Sequence, residues 1–319
     1  MTEPVPAPRD SAAANQRVDA PGHRYGGDHH RLSLVDRIGV RVERGLHDDE
    51  LLQRDPAFVE RLLPVVDVAL AYFDPEVQGF ERLPRQGPML IVGNHSGGIY
   101  MPDHWAFLRH WIRERGIDDP LYTLGFDLLF GLPVVGSMVR RLGTVPASRA
   151  NATRLLASGH PVLVYPGGDE DNYRPWTERH RVELYGRTGF VRLALRHQVP
   201  VIPVVGHGGH EVMIILARGD MIARRLGLHR LRINVLPLVA GPPWAIATFP
   251  LPAKVIVRVS EPIDWSSLGP DAASDPVVVR RCYEEVLGRM QADLDELVSA
   301  FPHPVVNRLL HPRHRRGAK

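Results

Sequence analysis

Apolar positions follow two different periods along this chain, and the change between them divides it. Leu34, Ile38, Val42 and Leu46 fall on one side of a helix, with Arg37, Arg41 and Arg44 on another. Asp55-Pro56 reads as an N-cap followed by Pro at the first helical position, and the segment to Phe73 is apolar on nearly every side, with a kink expected at Pro64. From Pro88 onward the apolar residues gather into short continuous runs. Met89–Val92, Pro161–Tyr165, Val201–Val205, Ile233–Leu238 and Val255–Ser260 predict strands. Helices are predicted between several of them, over Asp103–Arg115, Phe126–Arg141, Asn151–Ser158, Gly189–His197 and Glu211–Arg225. A long amphipathic helix is predicted over Val277–Ala300. Unbroken apolar strands alternating with helices imply an α/β fold: a mostly parallel central sheet flanked by helices, preceded by an N-terminal helical pair.

This pattern gives four regions. Residues 1–32, rich in Pro, Ala, Gly and charge, read as a disordered arm with no signal-peptide core. Residues 33–75 form the helical pair, whose arginine-striped face suits either packing on the core or contact with an anionic membrane. Residues 76–302 form the α/β domain, and 303–319 a basic tail. With 44% apolar and 24% charged residues the composition is that of a globular protein. The net charge of +3 is slight and the basic residues are dispersed, so nucleic acid is not an expected partner. The single Cys282 excludes an internal disulfide and a cysteine zinc site, and it suits a reducing compartment. No apolar run approaches the roughly 20 residues of a spanning helix.

Candidate chemistry collects at the strand ends. The run Met89–Val92 stops at Gly93-Asn94-His95-Ser96-Gly97-Gly98, and Pro102-Asp103 opens a helix. His95 is a candidate general base there, with Asp103 to orient it. Arg149 lies near a predicted helix start, where a guanidinium and free backbone N–H groups can hold phosphate. After the strand ending at Tyr165 come Pro166, Gly167, Gly168 and Asp169, glycines that allow close backbone approach followed by acids at 169–171. Those acids form either a metal site or a solvated turn. His207, His210 and Glu211 follow another strand and offer either metal ligands or a tight glycine turn. No G-x-S-x-G is present, which argues against an α/β-hydrolase nucleophile elbow. Residues 235–252, with Trp244 and Phe249 and no charge, read as a buried loop or as a flap that dips into a bilayer, with Arg218, Arg224 and Arg225 nearby.

Taken in order, the strand with Asn94-His95 and Asp103, the Gly143…Arg149 segment, the strand with Tyr165-Pro166-Gly167-Gly168 and the stretch 189–205 resemble the glycerolipid acyltransferase family. That family includes the 1-acylglycerol-3-phosphate acyltransferases, and the 181–196 stretch looks nearer the diacylglycerol acyltransferase-like branch. The resemblance covers roughly residues 76–265. The familiar H-x4-D spacing is absent: Tyr100 stands where the acid is expected, and Pro166-Gly167-Gly168 replaces Pro-Glu-Gly. The resemblance implies an O-acyltransferase moving a fatty acyl group from acyl-CoA to the hydroxyl of a glycerolipid, peripherally bound at the cytoplasmic face of a membrane. It implies His95 and Asp103 as catalytic residues, and Asn94, Ser96, Arg149, Pro166, Gly167, Gly168 and Asp169 as substrate contacts. Acyl-CoA would be co-substrate, with no metal and no further cofactor. Two other readings stand beside it: a metal-dependent hydrolase on His207, His210 and Glu211, and a non-catalytic lipid-binding membrane protein.

Overall fold

The structure is a computed structural model that describes residues 52–228, 233–240 and 249–310. The expected arm, the helix at 34–46, residues 241–248 of the proline-rich 235–252 stretch and the end of the basic tail lie outside the described residues.

Seven strands form the main sheet: β1 (Glu76–Gln78), β2 (Leu90–Gly93), β3 (Tyr122–Gly125), β4 (Thr144–Pro146), β5 (Val162–Val164), β6 (Val201–His207) and β9 (Ile256–Val259). Their spatial order is β1-β9-β6-β2-β5-β3-β4. Every pairing is parallel except β6 with β9. The strands read from apolar runs lie at the centre, because a strand covered on both faces needs apolar side chains on both. All of β2 and β6 is buried.

Alternate residues of β2 serve different cores. Leu90 and Val92 face a cluster with α5 (Arg149–Ala157), α7 (Gly189–His197) and α9 (Pro276–Ala300), whereas Met89 and Ile91 face one with α1 (Pro56–Phe73) and α2 (Pro102–Arg115). In α9 the buried residues Val279, Tyr283, Val286, Met290, Leu294 and Leu297 recur at helical spacing. Asp275 caps that helix by accepting from the amides of Val277 and Val278.

Several predicted elements change. Helix α1 runs unbroken through Pro64, which sits on the exposed side, where water takes over the carbonyl that proline leaves without a partner. The helix predicted over 126–141 is two, α3 (Asp127–Gly131) and α4 (Pro133–Arg141), because Leu132 before Pro133 is held extended. The helix predicted over 211–225 is instead a 3-10 turn at His210–Val212, a strand β7 (Ile215–Ala217) and a short helix α8 (Asp220–Arg225). The β-branched pair Ile214-Ile215 favours extended chain there, and Gly219, at φ +65, turns it into α8. The strand predicted over 233–238 is reduced to β8 (Leu238–Val239), which pairs with β7 in a separate two-stranded sheet. The tail region begins with a helix, α10 (Pro304–Leu310), whose Arg308 donates to the carbonyls of Ala71 and Tyr72 at the end of α1.

Candidate active site

Strands β2, β5 and β6 are adjacent and parallel, so the loops at their carboxyl ends share one edge of the sheet. These loops bring His95, Tyr165 and His210 together. The His95 ring stacks on Tyr165, with centroids 4.6 Å apart and planes 23° from parallel. Tyr165 Oη lies 3.0 Å from Nδ1 of His104, the second residue after the Pro102 that opens α2. Burial lowers His95 to a pKa of about 3, aided by His104 and Arg174, and lowers His104 to about 4. Both rings are therefore neutral at ordinary pH. Burial, and then the Asp103 charge, hold the Tyr165 phenol well above its usual range.

The backbone of His95 is gripped by a buried ionic group. Its N–H donates to Asp171 Oδ2 at 2.5 Å. Asp171 pairs with Arg174, and both side chains are fully buried. Arg174 also donates to His210 Nε2 at 2.6 Å, which fixes His210 as a neutral imidazole with its proton on Nδ1. His210 in turn hydrogen-bonds the His95 backbone, and burial keeps its pKa well below the usual value. Burial also lowers Arg174 to about 10, so its guanidinium stays charged. Gly167 is needed for this closeness, because a Cβ there would stand 2.3 Å from Asp171 Cβ.

Asp103 is buried at the start of α2 and accepts from Ser96 Oγ at 2.9 Å through Oδ2. Its other oxygen, Oδ1, is buried without a hydrogen-bond partner, and so is Nδ1 of His95. The sequence-predicted base and orienter are thus linked through Ser96, the residue after His95, and are not bonded to each other. Desolvation raises Asp103 to about 6, against the lowering effect of the Ser96 bond.

The other predicted contacts divide. Asn94 exchanges two hydrogen bonds with the backbone of Gly206, at 3.1 and 2.7 Å, and so ties the end of β2 to β6. The carbonyls of Pro166 and Gly167 both accept from Arg187, and the Gly168 N–H donates to Tyr165 O. Asp169 accepts from the amide of Asn234 at 3.0 Å. Arg149 is exposed at the first position of α5, just after the edge strand β4, which stands three strand spacings, roughly 14 Å, from β2. His207 and Glu211 stand together beside His180, while His210 turns to Arg174. The roles of His104, Tyr165, Arg174 and His180 were not apparent from sequence. Tyr165 alone carried a signal, as the aromatic residue closing a strand before Pro-Gly-Gly.

Residues 74–206 match a family model described as Acyltransferase. An uncharacterized protein of Mycobacterium tuberculosis is 33% identical over 230 residues, covering 72% of this chain and 63% of that protein. Human diacylglycerol O-acyltransferase 2 is 26% identical over 187 residues, covering 55% of this chain and 47% of that enzyme. The alignments therefore span less than two thirds of either relative. A solved 1-acyl-sn-glycerophosphate acyltransferase of Thermotoga maritima superposes with a TM-score of 0.42 at 17% identity, covering 81% of this chain and 88% of that one. Residues 74–206 therefore match the Acyltransferase family, and the chain is similar over part of its length to a diacylglycerol acyltransferase.

Proposed function

We propose that this protein is an O-acyltransferase that moves a fatty acyl group from acyl-CoA to the hydroxyl of a glycerolipid, with His95 as general base. One observation carries the reading. A neutral histidine stands at the carboxyl end of the central strand with its Nδ1 buried and unpartnered, and the adjacent Ser96 bonds Asp103, whose other carboxylate oxygen is also buried and unpartnered. An alcohol is a poor nucleophile at neutral pH, and a neutral imidazole takes its proton as the oxygen attacks the thioester carbonyl. The C–S bond then breaks, and the imidazolium returns the proton to the departing thiolate. Asp103 Oδ1 is the group that would accept from Nδ1–H and stabilise that imidazolium. The His95 amide is taken by Asp171 and the Gly168 amide by the Tyr165 carbonyl, so the candidate donors to the tetrahedral oxyanion are the amides of Ser96–Gly98 and Gly167. Nothing in this chemistry needs a metal or cofactor.

Lipid access fits the surface. A narrow apolar crevice between α1 and α2 is lined by Leu62, Leu63, Val66, Trp105, Leu108 and Ile112. Met221, Ile222 and Leu226 on and just after α8, together with Leu216 and Leu238, are exposed apolar side chains. Arg218, Arg224 and Arg225 lie among them, a combination that favours peripheral docking on an anionic, cytoplasm-facing leaflet. Among the described residues no helix is long and apolar enough to cross a membrane.

The test is transfer of radiolabelled acyl groups from acyl-CoA to a panel of monoacylglycerol, diacylglycerol, lysophospholipid and long-chain alcohol, with the protein floated on anionic vesicles. His95→Ala is expected to lose transfer by roughly 100-fold or more while its far-ultraviolet circular dichroism stays unchanged. Retained turnover in that variant would remove His95 as the base.

A further inference from the structure

A second cluster of side chains stands beside the His95 pocket and takes no part in it. His180 follows the 3-10 turn Trp176–Glu178, His207 closes β6, and Glu211 lies in the turn His210–Val212. One nitrogen of each imidazole and one carboxylate oxygen of Glu211 lie within 4.8 Å of one another. His207 and Glu211 are buried, while the His180 side chain keeps 30% of its exposure, so the cluster opens to solvent on one side.

The Glu211 carboxylate meets its two basic neighbours through a single oxygen. His180 Nε2 stands 3.2 Å from Oε1, and Arg179 Nε 3.6 Å from the same atom, beyond a normal hydrogen bond. Arg179 is committed elsewhere: its guanidinium lies over Trp176, 4.5 Å from the ring centroid, and donates to the Trp176 carbonyl. His207 donates through Nε2 to the Phe301 carbonyl at 2.9 Å. That bond fixes the tautomer and leaves the lone pair on Nδ1, the arrangement that supports a metal-ligating histidine.

We propose that His180, His207 and Glu211 bind one divalent transition-metal ion of the zinc class, with water completing the coordination on the His180 side. Two imidazoles and one carboxylate suit zinc better than magnesium or calcium, which prefer oxygen alone. Sequence spacing grouped His207 with His210 and Glu211, but the structure commits His210 to Arg174 and puts His180 in its place. The ion touches no reacting atom of the proposed transfer. It joins the segment around residue 180 to the turn that carries His210, and His210 holds the His95 backbone. Its role is to steady that turn, and the site stands whether or not the acyl-transfer reading holds.

The test uses the full chain, stripped with a chelator, dialysed and titrated with zinc chloride in a calorimeter. One saturable zinc site is expected, with a thermal midpoint that rises on loading. His180→Gln and Glu211→Gln should each weaken binding by roughly 100-fold or more and abolish the thermal shift, while His210→Gln should still bind zinc. The partly exposed His180 makes His180→Gln the deciding variant if Glu211→Gln does not fold. Absence of a saturable site, binding unchanged in His180→Gln, or binding lost in His210→Gln would overturn the assignment.

Discussion

Replacing Asp103 by Asn should stabilise the protein at neutral pH while it lowers turnover, and the size of the gain follows from the carboxyl's surroundings. Its pKa rises from 3.8 to about 6 because burial penalises the charged form more than the Ser96 bond favours it. A folded-state pKa above the unfolded value means the native state binds more protons between those two values, so stability falls as pH rises through that window. The shift of about 2 units corresponds to about 3 kcal/mol lost by pH 8. Asparagine has nearly the same shape, carries no charge and can still accept from Ser96. The difference in unfolding free energy between Asp103→Asn and the parent should therefore grow by roughly 2 kcal/mol from pH 4 to pH 8, with somewhat more than half of that above pH 5. Urea denaturation at several pH values measures it, and the parent-to-variant comparison cancels other titrating groups. The gain at pH 8 would appear as a rise in thermal midpoint of roughly 4–5 °C. In the same variant, acyl transfer should fall by roughly 100-fold. A difference that is flat between pH 5 and pH 8, or a variant less stable at pH 8 than at pH 5 relative to the parent, would refute the reasoning.

Arg174→Met strands the Asp171 carboxylate in the interior and should cost about 3–5 kcal/mol, read as an earlier urea midpoint; an unchanged midpoint would remove Arg174 from its supporting role. Gly208→Ala should cost roughly 2 kcal/mol or more in thermal or urea unfolding, because Gly208 has φ +87 and a Cβ would stand 2.0 Å from the Lys254 carbonyl oxygen. Arg149→Ala, at an exposed position, should leave stability unchanged and raise KM for a phosphate-bearing substrate with little change in kcat, whereas a fall in kcat alone would place that arginine nearer the reaction.

The fold was legible where burial is complete. Met89–Val92 and Val201–Val205 read as strands because sheet and helices enclose both their faces, which demands an unbroken apolar run. Strands β1, β3 and β4 were missed because they are three or four residues long and place Glu76, Gln78, Thr123 or Thr144 in the sheet, leaving no apolar run to see. The 211–225 stretch failed for the opposite reason: an apolar run fits helix or strand until tertiary pairing decides, and the pairing of β7 with β8 decides it. Within the site, His95 was visible because glycines flank it at a strand end. Arg174 was not, because its burial comes from Asp171 three residues earlier and His210 thirty-six residues later, a relation no local pattern encodes.

The placement of these charges bears on how so weak a base would act. Arg174 and Asp171 spend their ionic interaction on the His95 backbone, where it fixes position, and the Arg174 charge lowers the basicity of the ring. A histidine at about 3 and a carboxyl at about 6 are the values expected of two buried groups that could assist each other and are not bonded. Joining Nδ1–H to Asp103 Oδ1 would raise the first value and lower the second, and the attraction grows as positive charge develops on the ring. In the proposed reaction that stabilisation is small in the resting site and largest when the alcohol proton has moved to the imidazole. An interaction stronger in the transition state than in the ground state is the kind that accelerates the chemical step. If Asp103 orients His95, its contribution would therefore fall on the transition state rather than on the resting site.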